Sequence, residues 1–240
     1  YDLKRRIGVV PQNVAVFEEL TVRENIDYFC ALYVSDRLRR RELVDEAVAF
    51  VGLEDYVKFR PRKLSGGLLR RLNIACGIAH KPELVFFDEP TVAVDPQSRN
   101  AILEGIEQMN RAGSTVVYTS HYMEEVEEIC TRIMIMDHGR ALATGTNAEL
   151  KAMIGTGEKI QVEVAELAET TLARLEALPH VQRVLYRDGT LEAACANGTH
   201  NVSDVLAVLQ ADGATFGRVY AEPPTLNDVF LEITGTELRD

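Results

Sequence analysis

Residues 84–90 read Leu-Val-Phe-Phe-Asp-Glu-Pro. Four apolar residues in a row, closed by an acidic pair and a proline, have the pattern of a short strand buried on both faces of a parallel sheet. Ligands of open α/β sheets collect beyond the carboxyl ends of such strands, which is where Asp88 and Glu89 fall. The surrounding sequence repeats the theme. Upstream, "RRIGVVPQN" carries a β-branched run from Ile7 to Val10 that stops at Pro11. Downstream, "STVVYTSH" is another apolar run, and it ends at His121. Between the two later runs, "DPQSRNAILEGIEQMN" predicts a helix with Asp95 as its cap and Pro96 in its first turn. Strand, helix, strand at this spacing implies right-handed βαβ units and an α/β sheet.

Two helical segments separate the first strand from the rest. Thr21 and Glu24 have capping-box spacing, so a helix starts at Val22. "RRRELVDEAVAFVGLEDY" predicts a second, with Leu43, Val44, Ala47, Val48 and Val51 on one face and Gly52 as its stop. A third follows "PRKLSGGLLRRLNIA", residues 61–75. There, Ser65 is a good cap, and Gly66 and Gly67 let a backbone or an anion come close to a helix N-terminus. After His121 the sequence predicts a helix in "YMEEVEEIC" and a hairpin turning at Asp137-His138-Gly139. A break is expected at "MIGTGEK", residues 153–159. Beyond it the order strand, helix, hairpin around Asp188-Gly189, helix, strand is a split βαβ arrangement, and "TLNDVFLEITG" adds a last helix capped by Thr225. The expected division is residues 1–154, with a helical subdomain over about 18–80, and residues 155–240.

Composition narrows the function classes. The 240 residues carry a net charge of −11, which argues against nucleic acid as the main partner because phosphate binding needs a basic face. Four scattered cysteines and five histidines show neither a disulfide framework nor metal-ligand spacing. The patterns "NGT" at Asn197 and "NVS" at Asn201 match glycosylation acceptors by chance, since no secretory signal accompanies them. No apolar run approaches the length of a membrane span, so any membrane connection runs through another subunit.

Taken singly, the polar residues at the strand ends are ambiguous. Asp88 could hold Mg²⁺, and Glu89 could orient or deprotonate a water aimed at a γ-phosphate; "DEP" is equally an ordinary acidic turn. His121 could contact a γ-phosphate or simply face solvent. Gln12 could coordinate Mg²⁺ through its amide oxygen or be a loop residue. Their order is more specific: Gln12 after a strand, a helical insert, Leu64-Ser65-Gly66-Gly67, an apolar strand with Asp88-Glu89-Pro90, then Asp95, then His121 after a strand. This set resembles the nucleotide-binding domain of ABC transporters, where these are the Q-loop, the signature, Walker B with the catalytic glutamate, the D-loop and the switch histidine. "DEPTVAVDPQSRNAIL", "YTSHYMEEVEEIC" and the closing "TLNDVFLEITGTELRD" are similar to ATP-binding subunits of the ABC-2, drug-exporter branch, and the likeness covers essentially the whole chain.

The resemblance implies a P-loop NTPase-type α/β core with a helical subdomain and a small α+β (βαββαβ-like) C-terminal domain. It implies ATP and Mg²⁺ as ligands. Asp88 and Gln12 would hold the metal, Glu89 and His121 would be catalytic, and Ser65, Gly66, Gly67 and Asp95 would contact nucleotide. Two such domains would face each other head to tail, as a homo- or heterodimer, each signature closing over the other's γ-phosphate. A separate transmembrane permease would carry the substrate, with the subunit peripheral on the cytoplasmic face and its membrane contact indirect. The sequence departs from the family at three points. No G-x-x-x-x-G-K-[ST] loop occurs in the 240 residues, which begin just after the place where the family carries it. The 240-residue chain is therefore expected to bind ATP weakly or not at all, and its core to lack strands and a helix that the family has upstream. Leu68 stands where glutamine is common, and Ala93 where glycine is common. The alternatives are a non-catalytic dimerisation or regulatory module and a non-transport ABC protein. The second would need a basic linker or long coiled-coil insert, which the sequence lacks.

Overall fold

The computed structural model describes residues 2–196 and 201–235. Asn197 lies outside them, as do the last residues of the closing motif. The chain divides into two compact units, one ending at Cys130 and the other starting at Thr131. In the first unit a short helix α1 (Asp2–Arg5) precedes β1 (Ile7–Val10). Helices α2 (Val22–Ala31), α3 (Arg37–Phe50) and α4 (Gly66–Ile78) follow. Next come β2 (Leu84–Asp88), α5 (Pro96–Arg111), β3 (Thr115–Thr119) and α6 (Met123–Ile129). The starts of these helices are fixed locally. Thr21 and Glu24 form a complete capping box, and Ser65 and Asp95 accept from the third residue of α4 and α5. Such a cap is worth about 1 kcal/mol.

The three strands form one parallel sheet in the order β1-β2-β3, with Val10 beside Phe87 and Asp88 beside Thr119. Three successive strand ends therefore leave the sheet at one edge. The expectation of a β2 strand buried on both faces is corrected here. Val85 and Phe87 are buried in a core with Val10, Leu72, Ala75 and Ile102, whereas Phe86 is 38% exposed. Phe86 pairs in register with Val9 and Val117, also exposed, so among the described residues one face of the sheet carries an exposed apolar stripe. The apolar run in the sequence comes from a strand whose outward residues are hydrophobic without being covered among the described residues.

The second unit begins with the hairpin β4 (Ile133–Asp137) and β5 (Arg140–Gly145), turning at His138-Gly139 with both residues at positive φ. A helix the sequence reading passed over, α7 (Asn147–Lys151), starts at a capping box of Thr146 and Glu149. The remaining elements are β6 (Thr156–Val164), α8 (Glu169–Glu176), β7 (Val181–Arg187), β8 (Thr190–Ala196), α9 (Asn201–Ala211), β9 (Phe216–Glu222) and α10 (Leu226–Thr234). The strand order is β7-β8-β6-β9, every pair antiparallel, which is the split βαβ arrangement. The expected break at 153–159 is narrower than the sequence suggested, because Thr156 to Lys159 already pair with β8 through a bulge. One sheet face buries Ile160, Val162, Leu191 and Ala193 with Leu175, Val205 and Leu209 of the helices. Asn201 is buried and its amide donates to the Ala196 carbonyl, so its position suits a helix start and no glycan. No described helix is long and apolar enough to cross a membrane.

Candidate functional site

At the exit edge of the three-stranded sheet, the last residue of β2 and the next one turn in different directions. Asp88 is exposed, and its Oδ1 accepts from the Thr119 hydroxyl of β3 at 2.6 Å. Glu89 has φ +46°, a conformation few non-glycine residues adopt and one that concentrates at functional sites. Its amide donates to the Thr119 carbonyl and hydroxyl, both at 3.2 Å, which holds the twist in place. The twisted backbone aims the side chain at the end of β3. Glu89 Oε1 lies 3.0 Å from His121 Nδ1, while Oε2 is buried without a hydrogen-bond partner. The imidazole also packs on the Tyr122 ring, with centroids 4.2 Å apart.

Gln12 leaves β1 at the same edge, two residues past Val10, and its side chain is exposed. Its backbone is clamped by α4. Arg70 Nη1 donates to the Gln12 carbonyl at 2.5 Å, and Asn73 donates to the Pro11 carbonyl and accepts from the Ala15 amide. Burial lowers the pKa of the Arg70 guanidinium. Neither Arg70 nor Asn73 figured among the sequence candidates. Their signal was only that two polar residues sit on the otherwise apolar face of α4.

The signature-like turn forms a second cluster. Ser65 caps α4, its hydroxyl accepting from the Leu68 amide at 3.3 Å, and stays exposed. The two glycines have different reasons to be there. A Cβ on Gly66 would meet nothing within 4 Å, but one on Gly67 would stand 2.6 Å from Ser98 Oγ and 2.9 Å from Asp95 Oδ2. Gly67 is thus demanded by packing against the start of α5, and Gly66 is left open to solvent. Asp95 is engaged as the cap of α5; the Ser98 amide and then its hydroxyl lower its carboxyl pKa. Asp88, Glu89 and His121 therefore gather with Thr119. Ser65, Gly66, Gly67 and Asp95 gather separately, and the 90–95 loop runs between the two groups. Ala93 in that loop has φ +58°, a conformation glycine would adopt freely.

Among the described residues, no group of three or more His, Cys, Asp or Glu side chains could hold a metal by itself. Mg²⁺ does not require one: it is commonly held by one or two carboxylates, with phosphate oxygens and water completing the shell. The exposed Asp88 carboxylate, with the exposed Gln12 side chain leaving β1 at the same sheet edge, fits that donor set.

Comparison with known proteins identifies the family. Residues 1–92 match the ABC transporter family, and residues 145–234 match the ATP-binding protein DrrA1-3-like, C-terminal domain. The chain is 39% identical to the linearmycin resistance ATP-binding protein LnrL of Bacillus subtilis, over 99% of this chain and 77% of that protein. It is 34% identical to the daunorubicin resistance ATP-binding protein DrrA3 of Streptomyces coeruleorubidus, over 100% of this chain and 75% of that one. Among solved structures, cbiO1 from Clostridium perfringens, part of the cbiONQ ABC transporter complex, superposes with a TM-score of 0.57 at 25% identity. That match covers 63% of this chain and 61% of that one. An ATP binding subunit of an ABC transporter shares the fold at a TM-score of 0.56 and 24% identity, over 62% of each chain. The chain belongs to the ABC transporter ATP-binding proteins, a family of ATPases whose relatives here serve drug resistance.

Proposed function

We propose that this chain carries the hydrolytic half of an ATP-binding subunit of an ABC exporter. The observation that supports it most directly is the Glu89–His121 pair: a carboxylate 3.0 Å from an imidazole nitrogen, with its second oxygen buried and unpartnered at a sheet edge. Glu89 Oε2 takes a proton from, or orients, the water that attacks the γ-phosphate. His121 fixes the Glu89 rotamer from the other oxygen and donates toward the phosphate. Asp88 and the Gln12 amide oxygen hold Mg²⁺, which neutralises phosphate charge when bound. Ser65 and the Gly66 and Gly67 amides close over the nucleotide of a second such domain, with Asp95 at that junction. The open space at Gly66 supports this reading, because backbone approach there meets no side chain of its own unit.

ATP binding closes the dimer and hydrolysis reopens it. The Gln12 loop and the helical insert pass that motion to a separate permease at the cytoplasmic face of a membrane. On this reading the ATPase core continues past the compact unit that ends at Cys130, through β4, β5 and α7 to residue 154, and the accessory domain starts at 155. The 240 residues contain no phosphate loop, so on their own they neither grip nucleotide well nor turn it over; tight binding in a fluorescent-nucleotide titration of the chain refutes that. A second reading is a regulatory module that dimerises without hydrolysis. Glu89→Gln in the whole natural polypeptide containing these residues separates the two. General-base loss lowers turnover by about 10²-fold or more while nucleotide binding persists. An unchanged hydrolysis rate rejects Glu89 as the base.

A further inference from the structure

Glu125 is a charged residue with no exposed surface, and the proposed chemistry does not use it. A buried carboxylate survives only if it is paired and hydrogen-bonded. Its Oε2 accepts from Thr91 Oγ1 at 2.8 Å, from Ser120 Oγ at 3.2 Å and from Tyr118 Oη. Its Oε1 lies 2.7 Å from Arg99 Nε, an ion pair without hydrogen-bond geometry that leaves this oxygen otherwise unpartnered. Burial, reinforced by the bond to Glu125, pushes the Tyr118 hydroxyl well above its usual range, so that group remains a donor. These partners come from three segments: the 90–95 loop, the end of β3 and the first turn of α5. Arg99 then reaches further. Its guanidinium sits over the Tyr122 ring, 5.7 Å from the centroid, and the His121 imidazole packs on the same ring. A continuous physical chain therefore runs Glu125, Arg99, Tyr122, His121, Glu89.

We propose that Glu125 is a positioning residue for the His121–Glu89 pair. Through Arg99 it fixes Tyr122, which holds the imidazole against Glu89, and through Thr91 it ties that geometry to the loop ending at Asp95. The inference rests on the reading of Glu89 and His121 given above. An inert internal pin would anchor any one segment; this one grips the chain on both sides of the pair. Proximity effects make such alignment matter, since a misplacement of about 1 Å can cost about 10²-fold in rate.

The test is ATP hydrolysis by the whole natural polypeptide, with variants of four residues. Glu125→Gln lowers kcat on the order of 10-fold or more and leaves KM for ATP within about twofold. His121→Ala lowers kcat, and adding Glu125→Gln to it costs little further, because the second residue acts through the first. Tyr122 is exposed, so Tyr122→Ala does not threaten folding; it loses kcat to a similar degree, and Tyr122→Phe, which keeps the ring, recovers most of the loss. Arg99→Lys recovers part of what Arg99→Ala loses. Two results overturn the proposal on their own: a full additional loss from Glu125→Gln in the His121→Ala background, or wild-type kcat in Tyr122→Ala. Wild-type turnover in His121→Ala overturns the site reading, and this inference with it.

Discussion

The two compact units of this protein handle strained backbone in opposite ways. In the second unit, positive φ falls on His138 and Asp188, each followed by a glycine that is also at positive φ. Both pairs close two-residue hairpins, where that conformation matches the twist of the flanking strands. In the first unit, Lys81 lies in the turn after α4, its amide donating to the Ile78 carbonyl, but Glu89 and Ala93 lie in the loop after β2, where neither a hairpin nor a helix end calls for positive φ. Strain that a turn explains carries no message about function. Strain that the fold does not require, on a carboxylate facing an imidazole, points to a site. The burial patterns differ likewise. The four-stranded sheet packs one face on two helices around Leu175 and Leu209, while the three-stranded sheet leaves Val9, Phe86 and Val117 open.

Gly67→Ala tests hardest whether the signature-like cluster is built by packing. The added methyl stands 2.6 Å from Ser98 Oγ and 2.9 Å from Asp95 Oδ2, so the side chains that cap the start of α5 must shift. The expected cost is about 2 kcal/mol in a denaturant melt of the first unit. Gly66→Ala, with open space around it, costs nothing or stabilises slightly. Equal melts for the two variants mean that both glycines serve an external contact alone.

Ala93→Gly sharpens the contrast in strain. Removing the Cβ at φ +58° relieves about 1 kcal/mol, partly offset by the greater freedom of glycine in the unfolded chain. A small rise in the melting midpoint is expected. The same exchange at Asp188 gains less, because aspartate tolerates the left-handed conformation. A larger gain at Asp188 contradicts the comparison.

How much of this could be read from the chain depends on range. The capping box at Thr21, the cap at Thr225, the strand ends at Val10 and Asp88, and both hairpin turns were legible, because each is set by residues within a few positions of one another, whereas the third strand stops at Thr119, two residues short of His121. The α7 helix carries the same local signal at Thr146 and Glu149 and was hidden by the glycines that follow it. Other features were beyond the sequence. The two jobs of Gly66 and Gly67 look identical until α5 is placed beside α4. Arg70 and Asn73 read as stray polar residues until the Pro11–Gln12 backbone arrives against them, 58 to 62 positions away. Glu125 sits in "MEEVEE", where nothing local says which glutamate turns inward. Long-range contacts decide these, and periodicity does not encode them.

The smallest effect concerns the second unit. Asp228, the third residue of α10, completes the Thr225 capping box by accepting from the Thr225 amide, and lies 3.0 Å from Lys159 Nζ. Burial works to raise its pKa, but bonds from the Thr225 amide and hydroxyl and the ion pair with Lys159 outweigh burial and bring it below the usual value. The folded carboxyl thus binds its proton less readily than the unfolded one. Its contribution is complete above the unfolded pKa near 4 and disappears as pH falls through the lower folded value. Asp228→Asn removes that dependence. The stability gap between the two proteins should be about 0.5–1 kcal/mol at neutral pH and shrink toward zero in acid. A gap that is flat across that range means that Asp228 acts through shape alone, and the second unit then holds no titrating support in this helix cap.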